Sequence, residues 1–135
     1  MPFTPAVPLI AALYAALLGV LGAGLTVAVI VKRVRLRVDA GDGGLPEMAQ
    51  AIRAHANFVE QVPLALLLIT LAELLGTRPL ALHLLGGVLI VARLLSAFGL
   101  SRSLGPTQPR QSGAGMTVLV TLGAAGAILY ALLAR

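Results

Sequence analysis

The stretch Pro8–Val31, PLIAALYAALLGVLGAGLTVAVIV, followed at once by Lys32–Arg37, KRVRLR, decides how this chain folds. A helix needs about 20 apolar residues to cross a hydrocarbon core of ~30 Å, and no charged side chain interrupts this run. The basic cluster behind it reads as a stop-transfer flank kept on the cytoplasmic side. The uncharged run from Met1 to Val31 is too long for a secretory signal peptide and lacks its basic lead and cleavage site, so the helix is expected to stay in the membrane. Within it, Ala15, Gly19 and Ala23 stand four apart, a stripe of small residues that lets a neighbouring helix come close.

The rest of the chain has the same character. Of 135 residues, 59% are apolar and 11% charged, whereas about a quarter are charged in a soluble domain. The length suits one domain, residues 1–135, with helices expected at about 8–31, 46–75, 79–101 and 111–134. Pro46 and Glu47 open the second in the usual way, with proline at the first helical position and an acid in the first turn. Gly76-Thr-Arg-Pro79 is so short a turn that the second and third helices must lie antiparallel side by side. The expected fold is an all-α membrane protein, four transmembrane helices in an up-down bundle.

Lys32, Arg33, Arg35 and Arg37 mark the first connection and Arg102 and Arg110 the third, against Arg78 alone in the second. The positive-inside rule then puts the first and third connections in the cytoplasm and both termini outside. Lys32 is the one lysine among 10 basic residues of an Ala- and Leu-rich chain, a composition that points to a bacterial inner membrane. The net charge of +5 does not imply nucleic acid: the basic residues flank hydrophobic spans, and few aromatics interleave with them for base stacking. With no cysteine, the chain has no disulfide, no thiolate metal site and no thiol nucleophile of its own.

Charged side chains inside the spans are confined to the second and third helices, which carry Arg53, Glu60, Glu73 and Arg93. In Arg53-Ala-His-Ala-Asn57-Phe-Val-Glu60-Gln-Val-Pro63, the arginine, asparagine and glutamate fall at i, i+4 and i+7, within roughly 60° of one another on one face. Pro63 removes an amide donor, and a slight kink there is expected to free a backbone carbonyl beside Glu60. At ~1.5 Å per residue, Glu60 lies about 24 Å before Gly76 and Arg93 about 21 Å after Pro79, so an ion pair between them is expected. Such a pair can simply fix helix register, but ionisable groups within a membrane more often mark a site. An arginine, an amide and a carboxylate on one face suit a zwitterionic ligand bearing carboxylates and an amine. Glu73 and His83 lie near outer helix ends and are expected to be interfacial. No second ligand stands at workable spacing from His55, so no metal is expected. Tyr14 and Tyr130 are expected to anchor at the interface or make a single hydrogen bond.

The Arg53 to Pro63 segment, with Arg93 inside the third span and Arg110 opening the fourth, resembles the MAPEG family, membrane-associated proteins in eicosanoid and glutathione metabolism. The resemblance covers essentially the whole chain and is closest to the small bacterial branch. It implies a homotrimer of four-helix subunits that binds glutathione between neighbouring subunits near the cytoplasmic side. Arg53 and Arg93 would hold the carboxylates of glutathione, Asn57 and Glu60 its backbone and amino group, and Arg110 its thiolate. Arg102 is a second candidate for the thiolate role. The implied activity is that of a glutathione-dependent transferase or peroxidase acting on lipophilic electrophiles that arrive through membrane lipid.

Catalytic eicosanoid-pathway members carry tyrosines where this chain has Gln61 and, late in the third span, Phe98 and Leu100. That difference keeps open a non-enzymatic, lipid-binding or partner-regulating protein on the same fold. A small proton-coupled exporter also has four spans, but it needs a carboxylate in the first span, which has none here.

Overall fold

The structure, a computed structural model, describes residues 7–134; Met1 and Arg135, to which the expected outside placement of the termini refers, lie beyond them. Four helices follow one another: α1 Leu9–Leu36, α2 Pro46–Leu74, α3 Pro79–Arg102 and α4 Gln108–Leu133. Each is long and apolar enough to cross a membrane. Neighbours in sequence are neighbours in space, and among the described residues α1 packs on α2 and α3 but does not touch α4. The chain is an up-down bundle with α1 at its margin.

Two boundaries differ from expectation for identifiable reasons. The first helix carries its basic residues within it, because Lys32, Arg33 and Arg35 are good helix formers and nothing breaks the helix before Arg37. There Arg37 takes the left-handed conformation, φ 55° and ψ 45°, and the Val38 amide returns to the Arg33 carbonyl at 3.1 Å. Glycine usually fills this position, and an L side chain costs about 1 kcal/mol there. The fourth helix begins at Gln108, so Pro109 and Arg110 sit in its first turn, where proline loses no hydrogen bond.

The core is narrow and interleaves branched aliphatic side chains with alanines. Leu18, Val62, Ala65, Ile69, Ala72, Leu82, Leu89, Val120 and Ala124 are its centre. Large apolar side chains instead cover the outside: Leu9, Val34 and Leu119 are about 70% exposed or more. A soluble protein could not carry that surface; lipid is its natural solvent. α2 runs through Pro63 as one helix.

At the outer end, Glu73 is not the free interfacial group that its position suggested. Its carboxylate accepts hydrogen bonds from the Ile10 amide at 2.9 Å and the Ala11 amide at 2.7 Å. α1 starts after Pro8 with no side-chain cap and no acid in its first turn, so its free amides take their acceptor from α2. Glu73→Gln is expected to cost about 1 kcal/mol and to raise hydrogen exchange at Ile10 and Ala11. Unchanged exchange at those two amides would remove the cap. Beside it, the Tyr14 hydroxyl lies 3.0 Å from the His83 carbonyl and 3.1 Å from His83 Nδ1. One proton serves the carbonyl, so the hydroxyl accepts from the ring nitrogen. The ring of Tyr14 reaches α3 because Gly86 has no side chain; a methyl group there would overlap it.

Candidate functional site

Arg93 is the buried centre of the molecule's polar chemistry, 2% exposed between α2, α3 and α4. Its Nη1 donates to Asn57 Oδ1 at 3.1 Å. Its Nη2 donates to Ser96 Oγ at 3.3 Å, to the Gly113 carbonyl at 3.1 Å and to Thr117 Oγ1. Thr117 in turn donates to the Gly113 carbonyl at 2.9 Å, one turn back on its own helix. A guanidinium offers five N–H donors in a fixed fork, and here both Nη nitrogens, but not Nε, donate to neutral oxygens on three helices. Nε itself is buried without a partner.

The expected ion pair between Glu60 and Arg93 is therefore not made. Among the described residues the one ion pair joins Lys32 and Glu47, at 3.8 Å, on the surface. Counting residues from the turn fixes only the depth of each Cα atom; the arginine side chain runs along α3 toward Ser96 and meets Asn57, one turn nearer the cytoplasmic end than Glu60. Glu60 is exposed, and with Gln61 and Leu64 it faces Val118, Thr121 and Leu122 of α4 across a shallow cleft of about 230 Å³.

Arg53 is also exposed, against Gly41, Asp42, Ala49 and Ile52 at the α1–α2 connection. Arg110 holds the α3–α4 connection, its Nη1 donating to the carbonyls of Leu104 at 2.8 Å and Gly105 at 3.3 Å. No acceptor among the described residues occupies its Nη2. Arg102 stacks over the Phe98 ring, 4.1 Å from its centroid. Of the five residues singled out from the sequence, one chain thus joins Asn57 to Arg93 and leaves Arg53 and Glu60 open on its surface, with Arg110 at the head of α4.

Sequence reasoning missed Ser96, Gly113 and Thr117, which supply most of the acceptors for Arg93. A signal was present: Ser96 follows Arg93 by three residues, and Gly113 and Thr117 stand four apart at the start of the last helix. That pattern puts a small polar patch on each of two facing helices.

Four apolar spans with a charged and amide-bearing cluster between the second and third define a multi-pass membrane protein of the type suggested by the Arg53 to Pro63 segment. The chain belongs to the MAPEG family, whose family model matches residues 11–130. It is similar to the curated protein called inner membrane protein YecN in two strains of Escherichia coli, 36% identical over 96 residues in each, covering 71% of this chain and 73% of the relative.

Proposed function

We propose that the protein is a glutathione-dependent transferase or peroxidase of the inner membrane, acting on lipophilic electrophiles from a homotrimer whose sites lie between subunits. The observation that carries this reading is the exposure of Arg53 and Glu60 on a helix that crosses the membrane. Glu60 lies midway along α2, and a charge at the centre of a span costs about 2.5–3.5 kcal/mol on insertion scales, a cost from which a polar face turned to lipid gains nothing. Covered by a second copy, the same face becomes the wall of a polar site that faces protein and water. The basic connections at Lys32–Arg37 and Arg102–Arg110 support a cytoplasmic position for this end of the bundle, where a charged thiol peptide is at hand.

In this site Arg53 meets a ligand carboxylate, Glu60 its ammonium group, and Asn57 its peptide groups. Arg93, its fork already directed inward, acts mainly by holding Asn57 and by keeping a positive charge behind it. Arg110 favours the thiolate: a free thiol has a pKa of about 8.5, and a guanidinium beside it stabilises the charged, nucleophilic form near neutral pH. The bound thiol supplies a sulfur nucleophile toward an electrophile dissolved in the bilayer.

Titration calorimetry of the detergent-purified protein with glutathione tests this. Arg53→Ala and Glu60→Ala are each expected to weaken binding at least about tenfold, the loss of one charge-assisted hydrogen bond, while the assembly keeps its size. Full-strength binding in both variants would take the cluster out of the site. A second reading, a lipid-binding or partner-regulating protein without catalysis, is favoured by one observation. Leu100 is buried and Phe98, though exposed, stacks under Arg102; neither side chain carries a phenolic hydroxyl to support a thiolate near Arg110. Saturable lipid binding with no conjugation of glutathione to an aryl halide would select it.

A further inference from the structure

We propose that the cytoplasmic end of α1 is a binding site for one anionic phospholipid of the inner leaflet. The proposal does not rest on the glutathione reading, because it concerns the helix at the far margin of the bundle, which does not touch α4.

A cleft of about 450 Å³ opens where α1 ends, lined by Ile30, Arg33, Val34, Arg37, Val38 and Asp39. Its walls are fixed in place. Arg33 Nη1 donates to the Val38 carbonyl at 3.3 Å and the Gly41 carbonyl at 3.0 Å, folding the connection back against the helix. Val38 is buried beneath that fold, close to Gly43, whose φ of +61° excludes most side chains. Both partners of Arg33 are neutral carbonyls, so it keeps its full charge within the cleft.

The helix face leading to this cleft is apolar and turned outward. Val27, Ile30 and Val34 recur at i, i+3 and i+7, which places them within about 60° on one side of the helix, and all three are more than half exposed. On the same projection Arg33 and Arg37 lie on one side of this stripe, whereas Arg35 stands about 80° beyond Val27 on another face of the helix. An acyl chain can lie along the valines and isoleucine with its phosphate at the helix end among guanidinium groups. Arg35 and Arg37 are exposed, and no protein acceptor among the described residues engages either side chain. Arg37 holds its place in a left-handed conformation that glycine would adopt more readily, which directs a long cation to this spot at some conformational expense.

Charge complementarity decides the occupant. Lys32 is matched by Glu47, but Arg33 and Arg37 share the cleft with Asp39 alone, an excess of one positive charge. Basic residues immediately cytoplasmic of a span bind anionic headgroups with roughly additive strength. A zwitterionic headgroup would bring a choline or ethanolamine cation against those same arginines.

Native mass spectrometry of the purified assembly, titrated with phosphatidylglycerol and with phosphatidylcholine of the same chains, tests the proposal. The protein is expected to retain phosphatidylglycerol in preference, and Arg37→Gln is expected to reduce that preference about fivefold, the size of one cation beside an anionic surface, whereas Arg35→Gln, on another face of α1, is expected to leave it intact. Arg102→Gln, on the same side of the membrane but outside the cleft, is expected to leave it intact. Equal retention of the two lipids by the native protein, or an equal fall in Arg102→Gln, would overturn a defined site in favour of a diffuse field. Displacement of the lipid by millimolar glycerol phosphate would overturn the lipid as occupant and leave a free-phosphate site. Circular dichroism of each variant confirms that the helices are retained.

Discussion

Arg93→Ala is expected to lower the stability of the detergent-solubilised protein by about 3 kcal/mol, read as the midpoint of unfolding in a denaturing detergent series. Two opposing effects set that size. Removing a buried cation recovers its desolvation cost, which is several kcal/mol in a low-dielectric interior. Against this, the truncation leaves a side-chain-sized void between α2, α3 and α4 and strips the Asn57 carbonyl oxygen of its donor, and an orphaned buried acceptor costs about 1–3 kcal/mol. The void and the orphan outweigh the recovered desolvation, because Ser96 Oγ and the Gly113 carbonyl lose their charged donor together with Asn57.

The balance can be separated. Arg93→Met fills most of the volume without the charge and is expected to cost only about 1–2 kcal/mol. Adding Asn57→Leu and Thr117→Val removes two of the stranded polar side chains, leaving Ser96, and is expected to recover part of that loss, as replacement of buried polar networks does elsewhere. If Arg93→Met alone is as stable as the native chain, the fork is not holding the three helices together. The triple variant also separates stability from function. It is expected to fold and yet to bind no glutathione, because Asn57 is gone from the site proposed above.

The fold was legible in the sequence because its cause is one-dimensional. Hydropathy over 20 or more residues, the turn at Gly76–Pro79 and the one-sided basic residues all act through neighbours along the chain, and they place the four spans and their antiparallel order. The site was legible only in part. The helix face of Arg53, Asn57 and Glu60 follows from 100° per residue, but which helix covers that face does not. Thus the ion pair expected between Glu60 and Arg93 gave way to the Asn57 contact, and Glu73, 62 residues from Ala11, became the cap of α1. Both outcomes depend on how helices rotate about their own axes in the bundle. Such rotation is set by where side chains are small enough to let backbones meet, a property of pairs of helices that hydropathy does not contain.

Gly113→Val is the sharpest test of that last point. A Cβ atom at Gly113 would lie 2.5 Å from the Ala92 carbonyl oxygen and 2.9 Å from the Ser96 amide nitrogen. Both are backbone atoms of α3, so neither can swing aside as a side-chain terminus would. The two helices must move apart, and the Gly113 carbonyl then leaves the reach of Arg93 Nη2, now 3.1 Å away. Overpacking of this kind costs about 1–3 kcal/mol, and the lost charge-assisted bond adds about 1.5–3 kcal/mol, so Gly113→Val is expected to destabilise at least as much as Arg93→Ala. Gly113→Ala should fall between. The same substitution at Gly115 or Gly126 on the same helix meets nothing within 4 Å, and there alanine's higher helix propensity is expected to be neutral or to stabilise by up to about 1 kcal/mol. Because valine at Gly113 and alanine at Arg93 disrupt one shared contact, their effects should combine to less than their sum. Full additivity would mean that the close approach of α3 to α4 and the arginine fork are independent features, and that the buried cation does not depend on the glycine seam for its place.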